Sequence, residues 1–424
     1  MLSRLLIART WNYLHSSQFE IGVKTIEQAC ELAQSVENAG IEAQARLARA
    51  QILSTQHKHD LSLTQFERVV HLAKKAKNQI LEADGWIGIS EQLPWLGEFD
   101  QAEESLQRAF NLCQSQQYKP GEMKTLHLLG RQASRQGTLS KTIHFYEQAL
   151  QISRLLGNVA EEAEVLGSLG VELTEQGNLV GSLASLKKAL TGFRRLNMPE
   201  SEQWILGQLG YSSIRLGDYD TAEKHLTDAL AIATRLKDTF WQAWVKLRLG
   251  WMWNERGKAD KAFTFITEAF QIVEQLQQIP LKARVLYDWG NVLVSQENWV
   301  NAELKFQSAY EIWHEREQTE NAMLALAGLA YAAYLQEMPT NAAVHAEQLW
   351  QTLQESSVLA KRVDLNVYWM LGMVWQGVGD SRADDLQEKA RALLEQRSEK
   401  IEDNEARQMF LQNVPAHRAI LSSS

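Results

Sequence analysis

A spacing of 40 residues constrains what this chain can fold into. Leu129-Gly130, Leu169-Gly170, Leu209-Gly210 and Leu249-Gly250 recur at that interval, and Gly290 continues the series after Trp289. The same register lands on Thr10, Ala50, Ser90 and Ala330, all small, and Leu371-Gly372 repeats it with a shift of two. A second glycine follows seven residues later at Gly97, Gly137, Gly177, Gly217, Gly257 and Gly379. A third small position falls nineteen residues after the first, at Ala29, Ala109, Ala149, Ala189, Ala229, Ala269 and Ala309. A fixed period of this length marks a chain built from stacked supersecondary units.

The unit reads as two helices. Leu166, Leu169, Gly170 and Leu173 form the i, i+3, i+4, i+7 stripe of an amphipathic helix, and its small member lets a neighbouring helix approach closely. The glycine seven residues on is placed to end this first helix in a left-handed conformation. Asp218 then caps a second helix over 219–235, which carries the alanine column on its apolar stripe. Pro120, Pro199 and Pro280 fall after second helices, where they stop a helix without interrupting one. Neither helix buries its apolar face alone, so the units must stack. Glycine (24) and proline (6) are scarce among the 424 residues, which fits long helices joined by short turns.

At these positions the chain resembles the tetratricopeptide repeat (TPR). Leu209-Gly210, Ala222, Leu226 and Ala229 match the family pattern in one unit, and Ala302, Phe306 and Ala309 match it in another. The usual repeat has about 34 residues; the extra length here is expected as added turns on the second helix and a longer connection. The long spacing is similar to that of kinesin light chains, GoLoco-binding polarity adaptors and bacterial sensor proteins. The resemblance implies an all-α, right-handed TPR-like superhelical solenoid of about ten antiparallel helix pairs over residues 1–400. Residues 401–424 are expected to form a C-terminal capping helix and tail. That tail resembles segments that follow the TPR arms of bacterial STAND-type, MalT-like regulators.

Catalytic chemistry is missing from the sequence. There is no GxxxxGK[ST] phosphate loop, and Gly167-Ser-Leu-Gly170 is the repeat column without the spacing of a nucleophile elbow. His314-Glu315 lacks the second histidine of a zinc helix, and His57-Lys-His59 reads as a solvated turn. Glu161-Glu162 and Asp384-Asp385 read as solvated helix faces, and Cys30 and Cys113 as small packing residues. We therefore expect no enzyme activity, no cofactor and no metal. Lys plus Arg number 43 against 52 Asp plus Glu, a net charge of −9 that argues against direct nucleic-acid binding. Two cysteines, no signal-peptide pattern and no run of 18 apolar residues lead to the expectation of a cytoplasmic chain without a membrane partner.

In the resembled family the first helices line the concave surface. The stripe beside the packing stripe then presents Lys124, His127 and Arg131 in one unit, Trp204, Tyr211 and Arg215 in another, and Trp244 and Trp251 in the next. Arg284, Tyr287 and Asn291 follow, then Tyr331. Amphipathic aromatics beside arginine suit a protein-binding surface. The Lys124–Arg135 stripe also reads as a solvated face, and Trp253 and Trp289 fall in packing columns. The two-carboxylate clamp of chaperone-binding TPRs is not reproduced, since Tyr287 and not a lysine precedes Asn291 by four. The function expected is a non-catalytic module that grips a protein segment or peptide in its groove, as sensor or adaptor arm of a bacterial signalling regulator. A small-molecule (MalT-like) effector sensor and an oligomerising scaffold are the alternatives.

Overall fold

The computed structural model describes residues 5–6, 19–56, 58–355 and 365–422. Thr10 of the small-residue column and His57 of the His57-Lys-His59 segment lie outside them. Among the described residues there are 21 α-helices and no strand. The first helices of the pairs are α2 (Ala39–Thr55), α4 (Gln79–Gln92), α6 (Lys119–Arg135), α8 (Val159–Glu175), α10 (Pro199–Leu216), α12 (Thr239–Glu255), α14 (Ile279–Ser295), α16 (Thr319–Leu335) and α18 (Leu365–Val378). The second helices are α1 (Phe19–Ser35), α3 (His59–Lys75), α5 (Phe99–Ser115), α7 (Leu139–Leu156), α9 (Leu179–Arg195), α11 (Tyr219–Arg235), α13 (Ala259–Leu276), α15 (Trp299–Glu315), α17 (Pro339–Glu355) and α19 (Ala383–Glu399). Two short helices, α20 (Asn404–Gln412) and α21 (Pro415–Ser422), close the described chain. The chain divides into two compact units at Leu169/Gly170, within α8.

The repeat is finer than the sequence suggests. From Phe19 to Pro339 a helix begins every 20 residues. First and second helices have nearly the same length, 17 residues in α2 and α3 and 17 in α12. The length of the unit is therefore shared by both helices and is not concentrated in the second one. Among the described residues, most turns between these helices are short because one residue in them adopts a left-handed backbone. Glycine does so at Gly97, Gly137, Gly177, Gly217 and Gly257, as expected, but Glu37, Lys77, Gln117, Asn197, Lys237, Gln277, Glu297, Glu317 and Glu337 hold the same place with φ of 50° to 57°. Asn178 and Asp218 accept from Gly181 N and Thr221 N and so cap α9 and α11. Pro120, Pro199 and Pro280 sit in the first turn of α6, α10 and α14, where a missing N–H costs nothing. They start first helices, and do not merely stop second ones.

Packing within a pair is set by the small column. A Cβ added at Gly130, Gly210 or Gly290 would lie 2.4–2.5 Å from Tyr146, Leu226 or Phe306, the large residue sixteen positions on in the second helix. The alanine column, including Ala109, Ala189, Ala229 and Ala269, is wholly buried. In the first unit the core includes Phe66, Val70 and Ile89, and Cys30 and Cys113 are buried in it or beside it. In the second unit the core continues from α14 through α19, with Phe306, Tyr368, Trp375 and Leu394 at its centre. First helices also touch one another, α2 with α4 in the first unit and α10 with α12 and α12 with α14 in the second. Each unit therefore has one continuous face made of first helices.

The tail departs from a single cap. Its two helices contact α19, and α20 also returns to α10, two hundred residues earlier in sequence.

A bulky side chain in the small column should overpack a pair. Gly210→Leu is expected to lower stability by about 1–3 kcal/mol or more, read as a lower melting temperature by circular dichroism. An unchanged melting curve would contradict the close approach of Leu226.

Candidate functional site

The first-helix face of the second unit is hollowed into a cavity of about 630 Å³. Tyr211 and Arg215 reach it from α10, Trp251, Asn254 and Glu255 from α12, and Arg284, Tyr287, Asp288 and Asn291 from α14. Tyr331 of α16 and Trp369 of α18 continue the wall, and Phe410, Val414 and His417 of the tail complete it. The spacing explains the convergence. Positions one, four and five after the small residue lie on the face that first helices share, so equivalent residues from successive units meet.

An aromatic and cationic stack supports the wall; its Tyr211 and Trp251 line the cavity, and its Arg248 and Trp244 do not. Tyr211 and Trp251 have ring centroids 5.7 Å apart, and the Arg248 guanidinium lies 4.2 Å from the Tyr211 ring and 4.7 Å from that of Trp244. Burial pushes the Arg248 pKa down to about 10, and the like charge of Arg284 adds to this, yet Arg248 stays charged at neutral pH. Its Nε and Nη1 are buried with no hydrogen-bond partner. Burial also penalises Arg284, but Asp288, helped by Tyr287 and Tyr211, more than offsets that and holds the guanidinium above its ordinary range. Arg284 Nε donates to Asp288 Oδ2 at 3.1 Å. Trp251 Nε1 donates to Glu255 Oε1 at 3.1 Å. Asn254 Oδ1 and Trp369 Nε1, both on residues of the cavity wall, are buried without partners. An unmade hydrogen bond of this kind costs about 1–3 kcal/mol.

Seven of the twelve sequence-predicted groove residues meet at this cavity: Tyr211, Arg215, Trp251, Arg284, Tyr287, Asn291 and Tyr331. Trp204 and Trp244 are half-buried and do not line it. Trp244 packs over the backbone of α10, where a Cβ on Gly207 would come within 2.8 Å of its ring, and edge-on to Trp241. Its column therefore faces the preceding first helix instead of the opening. Trp253 is buried and Trp289 half-buried, with Lys261 and Lys305 each 4.1 Å from the respective ring centroid. Sequence reasoning missed Arg248, two positions before the small residue. The same column holds Leu128, Ser168, Gln208 and Asp288, and the opposite charges of Arg248 and Asp288 in neighbouring units were the available signal.

Lys124, His127 and Arg131 belong to a separate cluster in the first unit. His127 is buried, not exposed, with Nε2 2.9 Å from Ser168 Oγ and its ring against Tyr146. Lys124 Nζ pairs with Glu91 Oε1 at 3.1 Å. Ligating atoms of His127, Glu161 and Glu164 lie within 4.8 Å of one another. Glu161 is thus not on a solvated face; its Oε2 is buried and unpartnered, while the adjacent Glu162 pairs outward with Arg154. Lys124 and Arg131 supply positive charge to the cluster, which is an internally compensated network. Burial, with help from Arg131 and Lys124, lowers His127 to about 3 and leaves it neutral. Burial, then the Glu161 charge, raises Glu164 to about 7.

Residues 201–275, the helices that carry Tyr211 and Trp251, match the family described as tetratricopeptide repeat. Over that stretch the chain is similar to the tetratricopeptide repeat. Solved TPR-like structures share the fold. The apo form of the quorum sensor NprR from B. thuringiensis aligns with a TM-score of 0.60 at 13% identity, covering 86% of this chain and 99% of that one. A Rap protein complexed with competence and sporulation factor aligns at 0.56 and 15% identity, covering 81% and 98%. The signal transduction ATPase with numerous domains (STAND) from Pyrococcus horikoshii, which has a TPR sensor, aligns at 0.51 and 16%; the chain spans 55% of its length. At these identities the likeness is one of fold. No curated protein matches the chain by sequence.

The Glu164 shift fixes a pH dependence. A carboxyl raised from 4.5 to about 7 favours the fold fully below the lower value and loses that contribution as pH rises through the higher one. Glu164→Gln is therefore expected to melt above the parent at pH 8 and alongside it at pH 5. A difference independent of pH would contradict the burial of this carboxyl.

Proposed function

We propose that the second unit is a non-catalytic interaction module that binds a short peptide or protein segment in the cavity between Tyr211, Trp251, Arg284 and Trp369. The observation that carries this reading is the pairing of an aromatic and arginine wall with buried polar atoms that lack partners. Aromatic faces bury area at low entropy cost. Asn254 Oδ1 and Trp369 Nε1 are an acceptor and a donor left unpaired on residues of this wall, groups that a peptide could satisfy once a side-chain movement uncovers them. The Rap structure holds a competence and sporulation factor, and a Rap regulator of plasmid conjugation is in complex with the Phr* peptide. These fold relatives support a peptide ligand for this chain, acting as sensor or adaptor arm of a bacterial signalling regulator in the cytoplasm. No described helix is long and apolar enough to cross a membrane.

A second reading has its own observation. The cavity volume of about 630 Å³ lies within the range of small-molecule sites, roughly 300–1,000 Å³, so a compact effector also fits. The STAND protein with a TPR sensor is the fold relative that favours it.

Selection of a displayed random peptide library on the purified chain tests the peptide reading. Trp251→Ala is expected to weaken a selected peptide by about 2 kcal/mol or more, measured by fluorescence anisotropy. Trp253→Ala, two residues on and buried, is expected to cost about 3 kcal/mol or more of stability and to leave affinity unchanged when measured below its melting point. If both variants bind like the parent, the ligand does not use this wall.

A further inference from the structure

The C-terminal tail is built into the candidate cavity. Asp403 caps α20 by accepting from Ala406 N at 2.7 Å, and the chain then breaks at Asn413 before Pro415 opens α21. Asn413 ties this break to the turn after α10. Its Nδ2 donates to the Gly217 carbonyl at 2.9 Å, and its own carbonyl accepts from Tyr219 Oη at 3.3 Å. Backbones meet there. Gly217 has φ of +82°, and a Cβ on it would lie 2.6 Å from the Met409 carbonyl oxygen.

The segment behaves as an amphipathic helical ligand does. Ala406, Phe410, Val414, His417 and Ile420 recur at helical spacing and are buried, although α20 and α21 have only nine and eight residues. Helices shorter than about 12 residues are marginal in water, so docking holds these two in shape. His417 Nδ1 is 2.6 Å from the Phe410 carbonyl; since a carbonyl only accepts, Nδ1 carries the proton, and the bond clips the two helices together. Phe410, Val414 and His417 line the same cavity as Tyr211 and Trp251.

We propose that residues 402–422 are an internal ligand of the second-unit groove. The partner class that the groove accepts is then a short amphipathic helical segment, with apolar side chains at i and i+4 and an amphipathic ring at i+7 as in Phe410, Val414 and His417, which takes the tail's place. Helix-in-groove recognition reads such anchors. While the tail is seated, the apparent affinity for any competitor falls by the fraction of molecules with the tail out. This inference rests on the reading of the cavity as a ligand site.

The test uses the full chain and a fluorescein-labelled synthetic peptide of residues 402–422. Asn413→Ala removes the amide that holds Gly217, and Gly217→Ala places a methyl group against Met409; neither touches the aromatic wall. Each variant is expected to raise amide exchange across 404–422 at least tenfold by mass spectrometry. Each is also expected to bind the labelled peptide at least tenfold more tightly than the parent does. Unchanged exchange in both variants overturns the proposal, as does a parent that binds the peptide as well as they do. Exchange is read without any ligand, which separates the two readings. A parent that binds library peptides while both variants keep the tail protected overturns the tail proposal alone. Released tails with no binding of either tail or library peptides overturn both.

Discussion

The contact on which the rest of the molecule is organised is between a position with little or no side chain and a large side chain sixteen residues later. Gly130 against Tyr146, Gly210 against Leu226 and Gly290 against Phe306 let a large side chain of the second helix rest directly on the backbone of the first. With the backbone of the first helix tight on the second, the opposite side of the first helix is left for the next unit and for the inner face. That is why residues one, four and five after the glycine converge from three or more helices. The candidate cavity is a consequence of pair packing, and its wall is spaced by the same period as the core.

Much of this was legible in the sequence because glycine and alanine report close contacts by their size. The helix pairs, the capping by Asp218, the burial of the alanine column and the convergence of Tyr211, Trp251, Tyr287 and Asn291 all trace to positions where residue type and role coincide. The finer 20-residue period was not legible, since the left-handed turns between many helices are held by Glu37, Lys77, Gln117 or Glu317, residues with no turn signature. His127 was misplaced for a related reason. A polar residue on the inner stripe is indistinguishable in sequence from one on a surface, and only its approach to Ser168 and Glu164 shows it buried. The return of the tail to Gly217 is a contact across almost two hundred residues, which no local pattern encodes.

Electrostatically the two inner clusters solve different problems. In the first unit Lys124 and Arg131 compensate carboxylates crowded around a neutral histidine, so charge is balanced inside the cluster. In the second unit Asp288 satisfies Arg284, while Arg248 is held by ring faces and leaves two nitrogens without acceptors. A cation stabilised mainly by aromatic rings is worth about 2 kcal/mol or more when desolvated. It keeps a positive potential behind the wall that would favour a ligand bringing a carbonyl or carboxylate toward Tyr211 and Trp251.

The uniform half-period has a consequence for how such a chain can lengthen. Because first and second helices have nearly the same length and are joined by matching left-handed turns, a single 20-residue helix fits into the array without disturbing any connection. Its addition would nevertheless change the parity of everything downstream. Each later helix bearing the small column would trade places with one bearing the large residue it must meet, and the aromatic wall would turn outward. Growth and loss are thus confined to even numbers of helices by side-chain register, in an architecture whose backbone alone would permit any number.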